Sequence, residues 1–246
     1  YFPLCRVNPA KLYPKAMREY HRFSPRDGEK YYKKHQDFLP IVVEEGDMSL
    51  FKEDLITRLT VREINVCELM RTNPHTNVAK YRGAVCRTRM EFDYRGKNLT
   101  VLFDTERVYK LVFKKYDCDL WDLVKEREQF DARHCLESLA AGIKHFHALG
   151  VVHCDIKPDN IFVDLSGKRP VFVVGDFDST QMIGAVYNLK GGARGWGRNK
   201  RHGHDLVEKD DDWYGFQNVK QWLIRETGAR SRDLDGIGRI SRDWVG

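Results

Sequence analysis

Eight consecutive residues, His153-Cys154-Asp155-Ile156-Lys157-Pro158-Asp159-Asn160, carry side chains suited to one reaction. A carboxylate at Asp155 can accept the proton of an attacking hydroxyl. An ammonium at Lys157 can neutralise a phosphoryl group in transit, and the amide oxygen of Asn160 can bind a hard divalent cation. Further along, Val174-Gly175-Asp176-Phe177-Asp178 closes an apolar run with a second candidate metal ligand, Asp176. Phosphoryl transfer asks a protein for position and charge neutralisation more than for covalent chemistry. Two metal-binding oxygens from separate segments, next to a carboxylate, supply that. The alternative, a chance His-x-Asp turn, does not account for Lys157, Asn160 and Asp176 together.

These residues need elements to position them. The clearest helix runs from about Asp131 to Leu149: Leu136, Leu139, Ile143 and Phe146 recur at helical spacing, Asp131 can cap the start and Gly150 can end it. It delivers the chain into the 153–160 loop. Ile161-Phe162-Val163 and Val171-Phe172-Val173-Val174 predict a hairpin across Gly167, which puts Asn160 at the start of one strand and Asp176 at the end of its partner.

Upstream, Phe38–Val43 predicts a short strand and about Leu50 to Met70 a helix, with Leu59, Glu63, Val66 and Met70 on one stripe. A carboxylate on an apolar stripe is costly unless it meets a cation, which singles out Glu63. Strands are expected near Tyr81–Thr88 and Val108–Phe113, joined by 92–107 with a turn at Gly96. Tyr116-Asp117-Cys118-Asp119 then leads into a helix near Leu120. Residues 1–36, interrupted by Pro3, Pro9, Pro14 and Pro25, predict irregular structure, and the Gly-rich basic stretch from Asp176 to His204 predicts a loop. A last helix is expected over 212–225. Strands with one helix first, then mostly helices, imply an α+β fold of two lobes: a small strand-rich N-terminal lobe, residues 1–116, and a shortened, mainly helical C-terminal lobe, residues 117–246.

Bulk composition narrows the classes. The 246 residues, 41% hydrophobic and 12% aromatic, are enough for a packed core and argue against disorder. A formal charge of +6 suits phosphate handling without indicating nucleic acid. The six cysteines include no CxxC pair, so neither a zinc site nor a disulfide framework is expected; reduced thiols suit an intracellular, cytoplasmic or nuclear protein. No apolar run predicts a membrane span, and no signal peptide is expected. The chain opens on Tyr1, as a fragment would.

From about Phe38 to Leu223 the sequence resembles the protein kinase superfamily. It is most similar to small fungal kinase-like proteins that carry Asp-Phe-Asp-Ser, here Asp176-Phe177-Asp178-Ser179, in place of Asp-Phe-Gly. Gly192-Ala193-Arg194-Gly195-Trp196 resembles their Gly-Thr-x-Gly-Trp, and Asp212-Trp213-Tyr214-Gly215-Phe216 the start of a kinase F helix. The resemblance implies ATP and Mg²⁺ as cofactors and a protein acceptor. Asp155 would orient the acceptor hydroxyl and take its proton, Lys157 would sit by the γ-phosphate, and Asn160 and Asp176 would each bind Mg²⁺. Asp212 would hold the loop backbone, Phe113 would line the adenine pocket, Lys114, Lys115 and Tyr116 would form the hinge, and Glu63 would pair with a phosphate-gripping Lys. Asp119 would be a ribose contact, although a helix N-cap is the more ordinary use of that residue.

The pattern also breaks. At the usual spacing before Glu63 the gripping Lys is replaced by Glu44; Lys33, Lys34 and Lys52 are candidate substitutes. At about 4 Å two like charges repel by roughly 4 kcal/mol at an effective dielectric of about 20. Only Gly28 stands where a Gly-rich phosphate loop belongs, and no Ala-Pro-Glu follows Trp196. Cys154 replaces the Arg that pairs with an activation-loop phosphate in many kinases, and Asp178 replaces a Gly, which predicts a stiffer metal-binding loop. Three functions follow: a Ser/Thr protein kinase, a pseudokinase kept for binding or scaffolding, and a small-molecule phosphotransferase of the same superfold. Lys157-Pro158 favours a protein acceptor over the last. The basic run from Lys190 to His204 has two readings, a solvated loop and a site for an acidic acceptor, of which the first is the default.

Overall fold

In a computed structural model, residues 14–25, 29–35, 53–94, 97–188 and 190–238 are described. They belong to two compact units: residues 1–73 with 80–115, and residues 74–79 with 116–246. The architecture is α+β, with strands dominating the first unit and helices the second.

The first unit is built on one antiparallel sheet. Strand β1 is Tyr31–His35, helix α1 is Glu53–Thr72, and strands β2, Tyr81–Tyr94, and β3, Lys97–Lys114, form a long hairpin. The strand order is β1-β3-β2. The sequence placed a connecting stretch over 92–107, but the strands pair again within it: after an irregularity that skips 103–106, the ladder resumes at Arg89↔Leu102 and runs to Tyr94↔Lys97. Thr100 and Val101 favour extended backbone enough to carry the ladder outward. Tyr31–His35, expected to be irregular, forms β1 because the far edge of β3 needs backbone partners, and Tyr31↔Lys114 to His35↔Lys110 supply them. The expected strand at Phe38–Val43 lies outside the described residues. Helix α1 packs on β2. Its buried face is Thr60, Glu63, Ile64, Cys67 and Met70, with Val66 at its margin and Leu59 only half-buried. Residues 14–25 lie against the sheet, where Gly83 (φ 126°) lets the chain pass: a Cβ there would fall 2.7 Å from the Phe23 nitrogen.

The second unit begins with β4, Cys118–Asp119, and helices α2, Leu120–Lys125, and α3, Ala132–Ala148. Strand β5, Val151–Val152, a 3-10 turn, Pro158–Asn160, and the hairpin β6, Ile161–Asp164, and β7, Val171–Val174, follow. Strand β8, Gln181–Met182, and helix α4, Lys209–Thr227, complete it. Helix α3 behaves as its sequence predicts: Asp131 accepts from the His134 amide at 3.1 Å as N-cap, the four periodic apolar residues are buried, and Gly150 (φ 79°) ends it. Pro74–Ala79 precede the expected lobe boundary yet pack here, because the Ala79 amide bonds the Val174 carbonyl at 2.8 Å and the Val174 amide bonds the Asn77 carbonyl at 2.9 Å. The stretch expected to be one loop after Asp176 contains β8, paired with β5, and a bridge between Val186 and Leu206.

Candidate active site

The 153–160 loop leaves β5, turns, and enters β6, and a single buried carboxylate holds its shape. Asp212 lies in the first turn of α4 with no solvent exposure. Its Oδ2 accepts from the His153 amide at 2.9 Å, its Oδ1 from the Cys154 amide at 2.8 Å, and its Oδ2 also meets His147 Nε2 at 2.9 Å. These bonds hold Cys154 at φ 65°, a left-handed conformation that costs a residue with a Cβ of order 1–3 kcal/mol. The same reversal turns Asp155 toward Lys157 and Asn160.

His153 ties this loop to the strand that precedes Asp176. Its Nε2 lies 2.8 Å from the Gly175 carbonyl, and its Nδ1 accepts from the Asp155 amide at 3.3 Å. Those partners define the neutral tautomer with the proton on Nε2. The β6–β7 pairing ends at Ile161↔Val174, and one step beyond it the Gly175 amide bonds the Asn160 carbonyl at 2.9 Å. Gly175 is small of necessity, since a Cβ would fall 2.5 Å from the Phe162 ring. Asp176, next in the chain, adopts φ 61° and ψ 78°, a second left-handed residue at this point.

Asp155, Lys157 and Asn160 therefore form one cluster, with Asp176 one residue from its edge. The Asn160 Nδ2 donates to the Asp155 carbonyl at 2.9 Å and to Asp155 Oδ2 at 3.0 Å. With both amide hydrogens so used, its Oδ1 is the remaining ligand atom. Lys157 Nζ stands 3.5 Å from Asp155 Oδ2, and Asp155 Oδ1 accepts from the Ala193 amide at 2.7 Å. Asp155 is buried, 3% exposed, by the 192–197 segment lying over the loop; a Cβ on Gly192 would fall 2.6 Å from the Cys154 carbonyl. An amide oxygen and a carboxylate on adjacent backbone fit a hard divalent cation that carries phosphate oxygens.

The other expected site residues are placed as follows. Tyr116 opens the second unit with its ring stacked on Phe162 at 5.8 Å. Asp119 caps α2, accepting from the Asp122 amide at 2.8 Å; burial, with Asp122 and Asp159 nearby, pushes its carboxyl above the usual range. In the first unit, Phe113 is buried against Tyr81, the Lys114 amide bonds the Lys80 carbonyl, and the Lys115 amide bonds the Lys30 carbonyl. Glu63 is 2% exposed on α1. Glu44 and Lys52 lie outside the described residues; Lys33 and Lys34 belong to β1, paired with Val112 and Leu111. Sequence reading gave no role to His147, to the His153 ring or to the Ala193 amide. A buried acid at Asp212 signals that partners exist, but a backbone N–H leaves no mark in the residue types.

The basic run is anchored by acids from other segments. Lys190 Nζ bonds both oxygens of Asp178 at 2.6 and 2.7 Å, Arg198 and Lys200 pair with Glu208 and Asp211, and Arg201 pairs with Asp205. The Lys200–Asp211 pair, 2.8 Å apart and 7% exposed on each side, is the most buried of these. Lys200 and then Arg198 hold the Glu208 carboxyl below its ordinary range.

A profile described as "Protein kinase domain" matches residues 48–192, more than half of the chain, and the chain belongs to that family. Serine/threonine-protein kinase PSK1 of Saccharomyces cerevisiae is 28% identical over 150 residues, which span 54% of this chain and 10% of the yeast protein. Serine/threonine-protein kinase H1 of Homo sapiens is 28% identical over 173 residues, 66% of this chain and 37% of the human protein. The chain thus spans well under half the length of either relative. A solved chain of the yeast RNA polymerase II CTD kinase complex CTDK-1 aligns with a TM-score of 0.49 and 19% identity, covering 87% of this chain and 64% of that one.

Proposed function

We propose that this chain is a protein kinase that transfers the γ-phosphate of ATP to a Ser or Thr hydroxyl with the aid of Mg²⁺. The observation that supports it is the bonded cluster of Asp155, Lys157 and Asn160, joined through the Gly175 amide to the residue before Asp176. In this reading Asp155 orients the acceptor hydroxyl and takes its proton, a role worth about 10²–10⁴ in rate. Lys157 offsets the charge of the phosphoryl group as it moves. Asn160 Oδ1 and Asp176 hold Mg²⁺, which when bound neutralises and aligns the phosphates. Phe113 to Tyr116 frame the adenine, Glu63 supports the phosphate-gripping cation, and Asp119, already engaged as a cap, is the least suited to its proposed ribose contact.

A second reading, a pseudokinase that binds nucleotide without transfer, is favoured by the cover over Asp155: both carboxylate oxygens are bonded within the chain and the residue is 3% exposed. One experiment separates them. The purified chain is incubated with Mg²⁺, labelled ATP and a generic protein acceptor, beside Asp155→Ala and Asp176→Ala. Transfer by the parent that both changes abolish is the expected result. Nucleotide-dependent thermal stabilisation without transfer supports the second reading, and no response to ATP in either measurement refutes both.

A further inference from the structure

Within the basic run, cations divide into two kinds. Lys190, Arg198, Lys200 and Arg201 are each paired with an acid of this chain. Arg194 is exposed and has no acidic partner among the described residues. It follows directly on Ala193, whose amide is the one that bonds Asp155 Oδ1.

The backbone around Arg194 is clamped on both sides. Before it stands the Ala193–Asp155 bond. After it, Asn218 Nδ2 on α4 donates to the Trp196 carbonyl at 3.0 Å and to the Gly195 carbonyl at 3.4 Å. Gly195 sits at φ 87°, and a Cβ there would meet nothing within 4 Å, so the surface beside Arg194 is open. An exposed Arg on a clamped backbone has only its side-chain freedom to lose on meeting a ligand, since the backbone is already ordered. Its planar donors suit a carboxylate or a phosphate monoester.

We infer that Arg194 is a specificity-determining residue that selects acceptor peptides carrying an anionic side chain within a residue or two of the phosphorylated hydroxyl. That range follows from the geometry: an extended peptide advances about 3.3 Å per residue, so a side chain one step along the loop from the contact to Asp155 reaches only close neighbours of the acceptor. The inference rests on the kinase reading for the location of the acceptor, but peptide binding tests it separately from transfer.

The test uses the full chain and fluorescent Ser-containing peptides that differ only beside the Ser: Glu, phosphoserine, Gln or Lys. Affinity is measured by anisotropy at low salt for the parent, Arg194→Ala and Arg194→Glu, with initial rates of labelled phosphate transfer in parallel. The parent is expected to bind the Glu peptide about fivefold more tightly than the Gln peptide, as one exposed charge pair provides. The phosphoserine peptide should gain more, through its larger charge. The Glu-over-Gln ratio is expected to fall to about one in Arg194→Ala, and the Lys peptide to become preferred in Arg194→Glu. Equal affinity of the parent for all peptides, no binding of any, or an anionic preference that survives Arg194→Glu would each overturn the inference. Anion-selective binding without transfer supports it while refuting the kinase reading; transfer with no selectivity does the reverse.

Discussion

Replacing Asp212 by Ala is the sharpest perturbation of the loop that carries Asp155. The carboxylate has no solvent exposure and satisfies two buried backbone amides, those of His153 and Cys154, at 2.9 and 2.8 Å. Each orphaned buried donor costs about 1–3 kcal/mol, so the two together cost about 4 kcal/mol. Removing a buried charge returns part of that, and the loss of the His147 contact at 2.9 Å offsets the return. A net loss of about 3–4 kcal/mol is expected. At about 2–4 °C per kcal/mol for a domain of this size, the midpoint should fall by roughly 6–16 °C. Asp212→Asn keeps one acceptor oxygen and should lose about half as much. Urea denaturation followed by tryptophan fluorescence measures both, because Trp213 and Trp222 are buried on the same helix. A loss under about 1 kcal/mol for the Ala variant would mean that the amides find other partners and that Asp212 does not shape the loop.

Lys200→Met breaks the ion pair that binds the 190–208 segment to the start of α4; with Asp211 still near Arg198 at 3.4 Å, a loss of about 2–3 kcal/mol in urea denaturation is expected. Ala193→Pro deletes the amide that bonds Asp155 Oδ1, and hydrogen exchange across 192–197 should quicken by about fivefold, the worth of one hydrogen bond near 1 kcal/mol. His75, stacked on His145 at 4.8 Å, titrates below the ordinary histidine value because burial and then the His145 charge oppose its protonation. A histidine depressed in the folded state leaves stability intact above pH about 6.5 and removes it as pH falls through the folded value. Thermal melts from pH 7.5 to 5.5 should therefore decline less steeply in His145→Gln than in the parent, and parallel declines would refute the coupling.

What the sequence revealed and what it hid follow from where the information resides. Helix α3 was legible because its apolar period, its Asp131 cap and its Gly150 stop agree, and each acts locally. The β6–β7 hairpin was legible for the same reason, and with it the backbone contact between Asn160 and Gly175. The β2–β3 hairpin was longer than its apolar runs because the outer pairing of 89–94 with 97–102 uses backbone groups, and polar side chains do not oppose it. Of the stripe on α1, Glu63, Val66 and Met70 are buried as expected, and only Leu59 is half-exposed, with Thr60 buried in its stead, since packing against β2 selects the face and hydrophobicity only biases it. The Ala193 contact with Asp155 was invisible, as backbone donors are common to every residue but Pro.

The replacement at Cys154 acquires its meaning from these contacts. An Arg there could gather a phosphate; a buried Cys cannot, so another device must fix the segment after Asp176. The structure supplies one made entirely of groups already in the chain: Lys190 on Asp178, Arg198 and Lys200 on Glu208 and Asp211, and the Ala193 amide on Asp155. Asp178, which stands where a Gly was expected, is itself one of the anchors. The negative charge in these pairs comes from Asp and Glu of the chain itself. A segment held in this way answers to ionic strength and to mutation of its acids.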